Sequence, residues 1–317
     1  MKAFGFADGA DGADGADGAD GADGADGADG AGGGAVARGS SPVVRPIGVS
    51  PRLTKITGED WFRGNKWPPA DLKVPFTNAA STAFPNAAWS PFHLSIVALG
   101  EFVKKAGWDT VDLQAAVPIP TGTYLQNELD ELLELVDYRP GVLAEAVAQR
   151  NSFTAYWCGL LMMNKYSHPA TYRLLQIALR VGQFLAMHYK YNPGAGTGAV
   201  LPARPRPSQI SPALLPPITV PGHASYPSGH ATEAYMVAGI LKRVMPQAAR
   251  TPTDSTDLDS TPLRRLAERI ARNREVLGLH YPSDSKAGKF LADQTESILA
   301  SCATVNTLIG IAPNEWT

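Results

Sequence analysis

Two histidines in the second half of the chain have neighbours that suit acid–base or nucleophilic chemistry. The first, His230, closes the run Pro227-Ser-Gly-His230, in which Ser228 is a good helix N-cap residue and Gly229 leaves the backbone accessible. A helix N-terminus attracts oxyanions because it presents N–H groups and a partial positive charge. His230 would hold a proton donor over such an anion. An ordinary helix start with a surface histidine would have the same sequence.

The second histidine, His280, is followed four residues later by Asp284 in the run Arg274-Glu-Val-Leu-Gly-Leu-His280-Tyr-Pro-Ser-Asp284. Helical periodicity places Arg274 on the last turn of a helix and His280 in the turn that follows. A carboxylate at Asp284 could accept the N–H of one imidazole nitrogen, which leaves the other nitrogen basic. A nucleophilic histidine requires this arrangement, although a His-Asp pair that only caps a helix would look similar.

A third segment is basic. Lys190 ends a long predicted helix, and Arg204-Pro-Arg206-Pro follows it. Arginine next to proline, twice, predicts a stiff extended stretch whose guanidinium groups suit the bidentate geometry of phosphate oxygens. A solvated basic turn remains the alternative interpretation of this segment.

Together the three segments resemble the catalytic signature of the superfamily that joins type 2 phosphatidic acid phosphatases, bacterial non-specific acid phosphatases and vanadium haloperoxidases. That signature is Lys-x6-Arg-Pro, then Pro-Ser-Gly-His, then Arg-x5-His-x3-Asp, and the second and third parts match here in the same order. The first part departs from it, because fifteen residues separate Lys190 from Arg206 and the surplus resembles an inserted loop at 193–199. We assign the motif arginine to Arg206, with Arg204 as the alternative. The resemblance is to soluble bacterial members.

The resemblance implies a role for each matching residue. His280 is expected to attack phosphorus and form a phosphohistidine, with Asp284 orienting it, while His230 protonates the leaving group and then activates water. The residues expected to bind the phosphate are Lys190, Arg206, Ser228, Gly229 and Arg274. No metal and no cofactor are implied for a phosphatase, since cationic side chains take the place of a metal.

In the haloperoxidases the same pocket holds vanadate, which His280 would ligate here. His223 precedes His230 by seven residues, at a position where bromide-oxidising members carry a histidine, so it is a candidate for the halide or substrate side. The sequence therefore predicts a phosphatase for small soluble phosphate monoesters, with a bromide-type vanadium haloperoxidase as the alternative. A non-catalytic helical interaction module would leave the Arg, His and Asp cluster unexplained. A zinc site would have to use His188, His223, His230 and His280. These histidines do not have the spacing that is usual for zinc ligands, so the sequence does not favour this site.

The chain divides into three parts by composition. Residues 7–30 repeat Ala-Asp-Gly, and we expect the tail 1–34 to be disordered because it has no large apolar side chain and carries eight aspartates. Residues 35–88 are rich in Pro, Gly, Ser and Asn, which predicts an irregular arm. The remaining part, 89–317, is the predicted helical catalytic domain.

The net charge and the targeting signals indicate which binding partners and which location to expect. The chain has 28 basic and 30 acidic residues, and removing 1–34 with its one lysine and eight aspartates leaves 27 and 22, a net charge of +5. A mildly basic domain suits a small anionic substrate and is far from the charge typical of nucleic-acid binding. Two cysteines are too few for a disulfide framework. We recognise no signal peptide and no membrane span, so we expect a cytoplasmic protein.

The elements that must position these residues are predicted to be helices. Apolar residues recur at helical spacing, prolines and small polar residues mark the starts, and no stretch has strand alternation. The sequence therefore predicts an all-α bundle with the site at helix ends. The acidic residues of the second helix, Glu128 among them, are expected to face solvent. The predicted helices start at Pro91, run from 123 to 136, start at Pro140 and Ser152, and then span 169–190, 231–244, 262–277 and 283–308.

Overall fold

The computed structural model describes residues 88–151, 153–252 and 260–316. The predicted tail 1–34 lies outside these residues, and so does the predicted arm 35–88 apart from its last position. Every regular element in the described part of the chain is helical, which confirms the all-α prediction.

Twelve α-helices are found in the described residues, and short 3-10 turns link or extend some of them. In chain order they are α1 Pro91–Phe102, α2 Leu113–Ala116, α3 Gly122–Leu135, α4 Arg139–Asn151, α5 Phe153–Leu161, α6 Pro169–Tyr191, α7 Pro207–Ile210, α8 Gly229–Lys242, α9 Gln247–Arg250, α10 Pro262–Val276, α11 Pro282–Ala300 and α12 Ala303–Ile311.

The centre of the bundle is α8. Nearly every residue of this helix is buried, including its polar first turn, so it is surrounded on all sides. Helices α6, α11 and α10 pack directly against it, while α1 and α12 cover the outer side of α6. This arrangement places the Pro-Ser-Gly-His segment, which begins α8, in the interior of the protein.

Local sequence explains where α10 begins and ends. Thr261 caps its start, with the side chain accepting a hydrogen bond from the backbone N–H of Arg264, and Pro262 occupies the first turn. The helix ends at Val276, and two residues later Gly278 has a φ of 72°, in the left-handed region. The N–H of Leu279 then bonds the carbonyl of Arg274 at 3.0 Å, and the N–H of Gly278 bonds the carbonyl of Glu275 at 2.7 Å. This pair of bonds is a Schellman motif, and it carries the chain directly into His280.

Close packing of α11 against the start of α8 depends on a glycine. A Cβ atom at Gly288 would lie 2.7 Å from the carbonyl oxygen of Ser228 and 2.9 Å from the Cβ of Ala231. We therefore expect Gly288→Ala to lower the free energy of unfolding by about 1–3 kcal/mol, because backbone atoms would have to move apart. Gly310→Ala is the control, since nothing lies within 4 Å of a Cβ there. Urea unfolding checks both variants, and equal midpoints would contradict this account of the packing.

The prediction of one long last helix over 283–308 is wrong. The structure has two helices, α11 and the Ala303–Trp316 segment, at an angle of 84°. The break follows Ser301, and it lets the N–H and hydroxyl of Thr304 bond the carboxylate of Glu101 on α1 at 2.9 and 2.7 Å. Tertiary contacts therefore outweigh helix propensity here. Among the described residues no single helix has both the length and the apolar character for a membrane span, and this bent pair alone meets that test, by length and composition.

Candidate active site

Hydrogen bonds of the backbone bring the three sequence motifs together at the first turns of α8 and α11. The N–H of Ser228 donates to the carbonyl of Asp284 at 3.0 Å, and the N–H of Ser225 donates to the carbonyl of Arg204 at 2.9 Å. The Arg206 guanidinium donates to the carbonyl of Leu279 at 2.9 Å. Segments 204–206, 223–228 and 279–284, far apart in the sequence, therefore form one cluster.

The cluster holds His280 by both of its ring nitrogens. The Nδ1 atom lies 3.1 Å from Oδ2 of Asp284, and the Nε2 atom lies 3.0 Å from a terminal nitrogen of Arg206. A guanidinium can only donate, so Nε2 must accept, and the ring proton is assigned to Nδ1, which donates to Asp284. The fully buried imidazole thus presents its unprotonated nitrogen to a cationic group.

Asp284 is fixed by four donors. Arg204 donates to Oδ1 at 2.7 Å, while Oδ2 accepts from the Ser225 hydroxyl at 2.5 Å, the Tyr281 backbone N–H at 3.0 Å and His280. Complete burial acts to raise the pKa of Asp284, but the hydrogen bond from His280 and the charge of Arg204 outweigh it, so the pKa lies well below its usual value. The carboxylate therefore stays ionised beside the histidine.

Two further buried cations lie against the loop 223–225. Arg206, only 1% exposed, donates to the carbonyl of His223 at 3.0 Å and approaches the Nδ1 of its ring at 3.1 Å. Lys190, near the end of α6, donates to the carbonyls of Ala224 and Ser225 at 2.7 and 3.0 Å. It is Arg206 that contacts His280, whereas Arg204 contacts Asp284.

The first turn of α8 supplies a different kind of group. The Ser228 side chain caps the helix by accepting the N–H of Ala231 at 3.4 Å, which leaves its own O–H as a donor. Gly229 is the first helical residue, and the leading N–H groups of a helix have no carbonyl partner within that helix. His230 follows it, fully buried, with its ring edge-on to Phe153 at a centroid distance of 5.5 Å. Hydrogen-bond donors and an imidazole therefore share this turn.

Arg274 is linked to the cluster through its backbone. It lies on the last turn of α10 and is 1% exposed. Its guanidinium donates to the carbonyl of Ala146 on α4 and to the side-chain oxygen of Gln149, the latter at 3.5 Å. Its own carbonyl is bonded by Leu279, the residue before His280. The structure thus links Arg274 to the histidine by the backbone and directs its side chain towards α4.

The expectation that Glu128 faces solvent is wrong. Its side chain is 12% exposed and forms an ion pair with Arg204 at 2.8 Å. The residue lies on the same face of α3 as Leu125 and Leu132, and Leu132 is fully buried. The spacing of Glu128 from these two leucines, three residues after one and four before the other, could have indicated that it is buried. Ser225, which donates to Asp284, is also absent from the predicted site, and no sequence pattern indicates it.

Comparison with known proteins agrees with the signature and the fold. No family model matches the chain. A region of 152 residues is 30% identical to the decaprenylphosphoryl-5-phosphoribose phosphatase of Mycolicibacterium smegmatis, and it covers 47% of this chain and 73% of that relative. The match spans more than two thirds of this phosphatase, and the fold is all-α. The chain therefore belongs to the type 2 phosphatidic acid phosphatase family.

Proposed function

We propose that this protein is a phosphatase that hydrolyses small soluble phosphate monoesters through a phosphohistidine intermediate. The observation that supports this most directly is the position of His280, whose Nδ1 bonds Asp284 and whose Nε2 faces the Arg206 guanidinium. A nucleophile oriented by a carboxylate next to a phosphate-binding cation is the arrangement that phosphoryl transfer to nitrogen requires. The relative's name, a phosphatase, points the same way.

In the first half-reaction, Nε2 of His280 attacks phosphorus as the bond to the leaving oxygen breaks, and His230 gives that oxygen a proton. Asp284 stabilises the positive charge that develops on the imidazole ring. In the second half-reaction, the now neutral His230 takes a proton from water. The water oxygen attacks phosphorus and the N–P bond breaks. Inorganic phosphate is released, and His280 returns to its neutral form.

Charge on the transferring group is met by donors rather than by a metal ion in this proposal. Lys190 and Arg206 supply positive charge, and the Ser228 hydroxyl and Gly229 N–H supply hydrogen bonds. Arg274, whose guanidinium contacts α4 in the structure, would join them only after turning towards the site. Such groups act most strongly in a buried site, because the surrounding dielectric is low and the donors are already in place. The burial of Lys190 and Arg206 supports this assignment.

Inhibition by vanadate tests for a site that carries out in-line phosphoryl transfer. We expect purified protein to release phosphate from an aryl phosphate and vanadate to inhibit competitively, with an inhibition constant at least about 100-fold below KM, since vanadate adopts the five-coordinate geometry of the transition state. Steady-state kinetics with phosphate detection measures both values. A phosphorylated ribose belongs among the tested substrates because of the relative's name. Absence of phosphate release from every monoester would refute the proposal.

The contact of His223 with Arg206 supports vanadate-dependent bromide oxidation as a second candidate function. The buried cations and Nε2 of His280 fit a bound vanadate as well as a phosphate, and vanadate would supply the activation of peroxide. In this case a dye should be brominated with peroxide, bromide and vanadate, while ester cleavage is negligible. Assaying both activities on one preparation separates the two functions.

A further inference from the structure

Arg204 contacts Asp284, the residue that holds His280. It donates to Oδ1 of Asp284 at 2.7 Å, whereas His280 uses the other oxygen, Oδ2, at 3.1 Å. Arg204 is itself 4% exposed, and its guanidinium stacks on the Tyr281 ring at 3.6 Å from the centroid. A carboxylate whose two oxygens both accept hydrogen bonds cannot rotate without breaking one of them. By holding Oδ1, Arg204 therefore limits the movement of Oδ2, the oxygen that His280 contacts.

Glu128 holds the other side of this guanidinium. Its Oε2 accepts from Arg204 at 2.8 Å and from the Ser283 hydroxyl at 3.0 Å, and its Oε1 accepts from the Ser283 backbone N–H at 2.7 Å. Ser283 is in the first turn of α11, and its hydroxyl in turn accepts from Arg204 at 2.7 Å. Glu128 therefore fixes Arg204 and caps the helix that carries Asp284.

The charges explain why the two residues act together. One guanidinium lies between two carboxylates that are almost entirely removed from water. Removal of one partner from a buried ion pair leaves an uncompensated charge, which the structure relieves by protonation or movement. Loss of Arg204 would therefore disturb Asp284 first, and His280 through it.

We propose that Arg204 and Glu128 are positioning residues of the nucleophile: together they hold Asp284, and through Asp284 they set the orientation and tautomer of His280. This inference rests on the proposed function, in which His280 attacks phosphorus. It assigns to Arg204 a role different from that of Arg206, although both belong to the same Arg-Pro-Arg-Pro segment.

Two variants test the pair. Arg204→Lys keeps the charge but loses the planar fork whose two terminal nitrogens reach Asp284 and Glu128 separately, and Glu128→Gln keeps the shape of the side chain but removes its charge. For both we expect kcat to fall by about 10- to 100-fold, the loss that is typical when a hydrogen-bond partner that orients a metal-ligating side chain is removed. We expect KM to change by less than about threefold. Arg206→Lys, which alters a proposed phosphate ligand, should raise KM as well as lower kcat.

The matched control is Glu131→Gln, on the same helix one turn later, where the side chain is 44% exposed and pairs with Arg272. It should leave kcat unchanged. If Arg204→Lys raises KM as much as Arg206→Lys does, Arg204 is a substrate ligand and the proposal is wrong. The same holds if Glu128→Gln and Glu131→Gln have equal kcat values.

A spectroscopic measurement requires no substrate, so it separates this proposal from the proposed function. The Nδ1 proton of His280, held by Asp284, should give a downfield imidazole resonance in the NMR spectrum of the full chain, identified by its absence in His280→Gln. We expect the resonance to shift or vanish in Arg204→Lys and Glu128→Gln and to persist in Glu131→Gln. An unchanged resonance in the first two variants would overturn the positioning role even if no ester is cleaved.

Discussion

Replacement of His280 with alanine is expected to lower kcat for an aryl phosphate by at least about 10⁴-fold, because the proposed covalent intermediate forms on this imidazole. The buried imidazole has its Nε2 at the Arg206 guanidinium, and a water molecule in its place would lack both the nucleophilicity and the orientation that Asp284 provides. Rates of phosphate release measure the loss. His93→Gln, an exposed position at the start of α1, is the control and should retain full activity.

Chemical trapping makes this prediction specific. With an aryl phosphate the leaving group needs little protonation, so His230→Ala should slow mainly the hydrolysis of the phosphoenzyme. Labelled phosphate should then accumulate on the protein in an acid-labile, base-stable form, as a phosphohistidine does. Adding His280→Ala should remove that label. Retention of the label, or more than about a tenth of wild-type kcat in folded His280→Ala, would assign the nucleophile elsewhere.

Asp284→Asn is expected to lower kcat by about 10³-fold or more, close to the cost of the equivalent change in Ser-His-Asp enzymes. An amide has one oxygen and one NH₂ group. If the oxygen faces Arg204, the NH₂ group faces His280 and favours the tautomer whose proton is on Nε2, which cannot attack. The pH dependence of kcat with purified variant and wild type measures the effect, and a loss smaller than about tenfold would contradict the tautomer assignment.

The same variant has an expected signature in stability. Although burial favours the neutral acid, His280 and Arg204 hold the pKa of Asp284 lower in the folded protein than in the unfolded chain. Ionised Asp284 therefore stabilises the fold above the unfolded pKa of about 4, and this contribution declines as the pH falls below that value. The gap in unfolding free energy between wild type and Asp284→Asn should narrow from neutral to acid pH in urea titrations. A gap that widens in acid would be inconsistent with a lowered pKa.

Much of the fold follows from local signals in the sequence. Pro91, Pro169 and Pro262 mark helix starts because proline suits the first turn, and Gly278 marks an end because it readily adopts a positive φ. The motif helix begins two residues earlier than predicted, at Gly229, because the Ser228 cap acts from that point. These features depend on neighbours in the chain, so one sequence is enough to find them.

The remaining features depend on contacts between distant parts of the chain. Nothing near Glu128 indicates that it meets Arg204, which follows 76 residues later. The break between α11 and α12 depends on Glu101, more than 200 residues before its partner Thr304. Sequence patterns could therefore name the motif residues of the cluster but not Glu128 or Ser225. That Arg204 contacts Asp284 while Arg206 contacts His280 was visible only in the three-dimensional arrangement.

The loop 223–225 gives the two first-motif cations a common anchor. Lys190 bonds the carbonyls of Ala224 and Ser225, and Arg206 bonds the carbonyl of His223, so this loop contacts both cations. A shared anchor can hold both charges even though the connection between them is longer than in the signature. We expect the exposed part of this connection, around Val200, to accept an inserted peptide without displacing either charge.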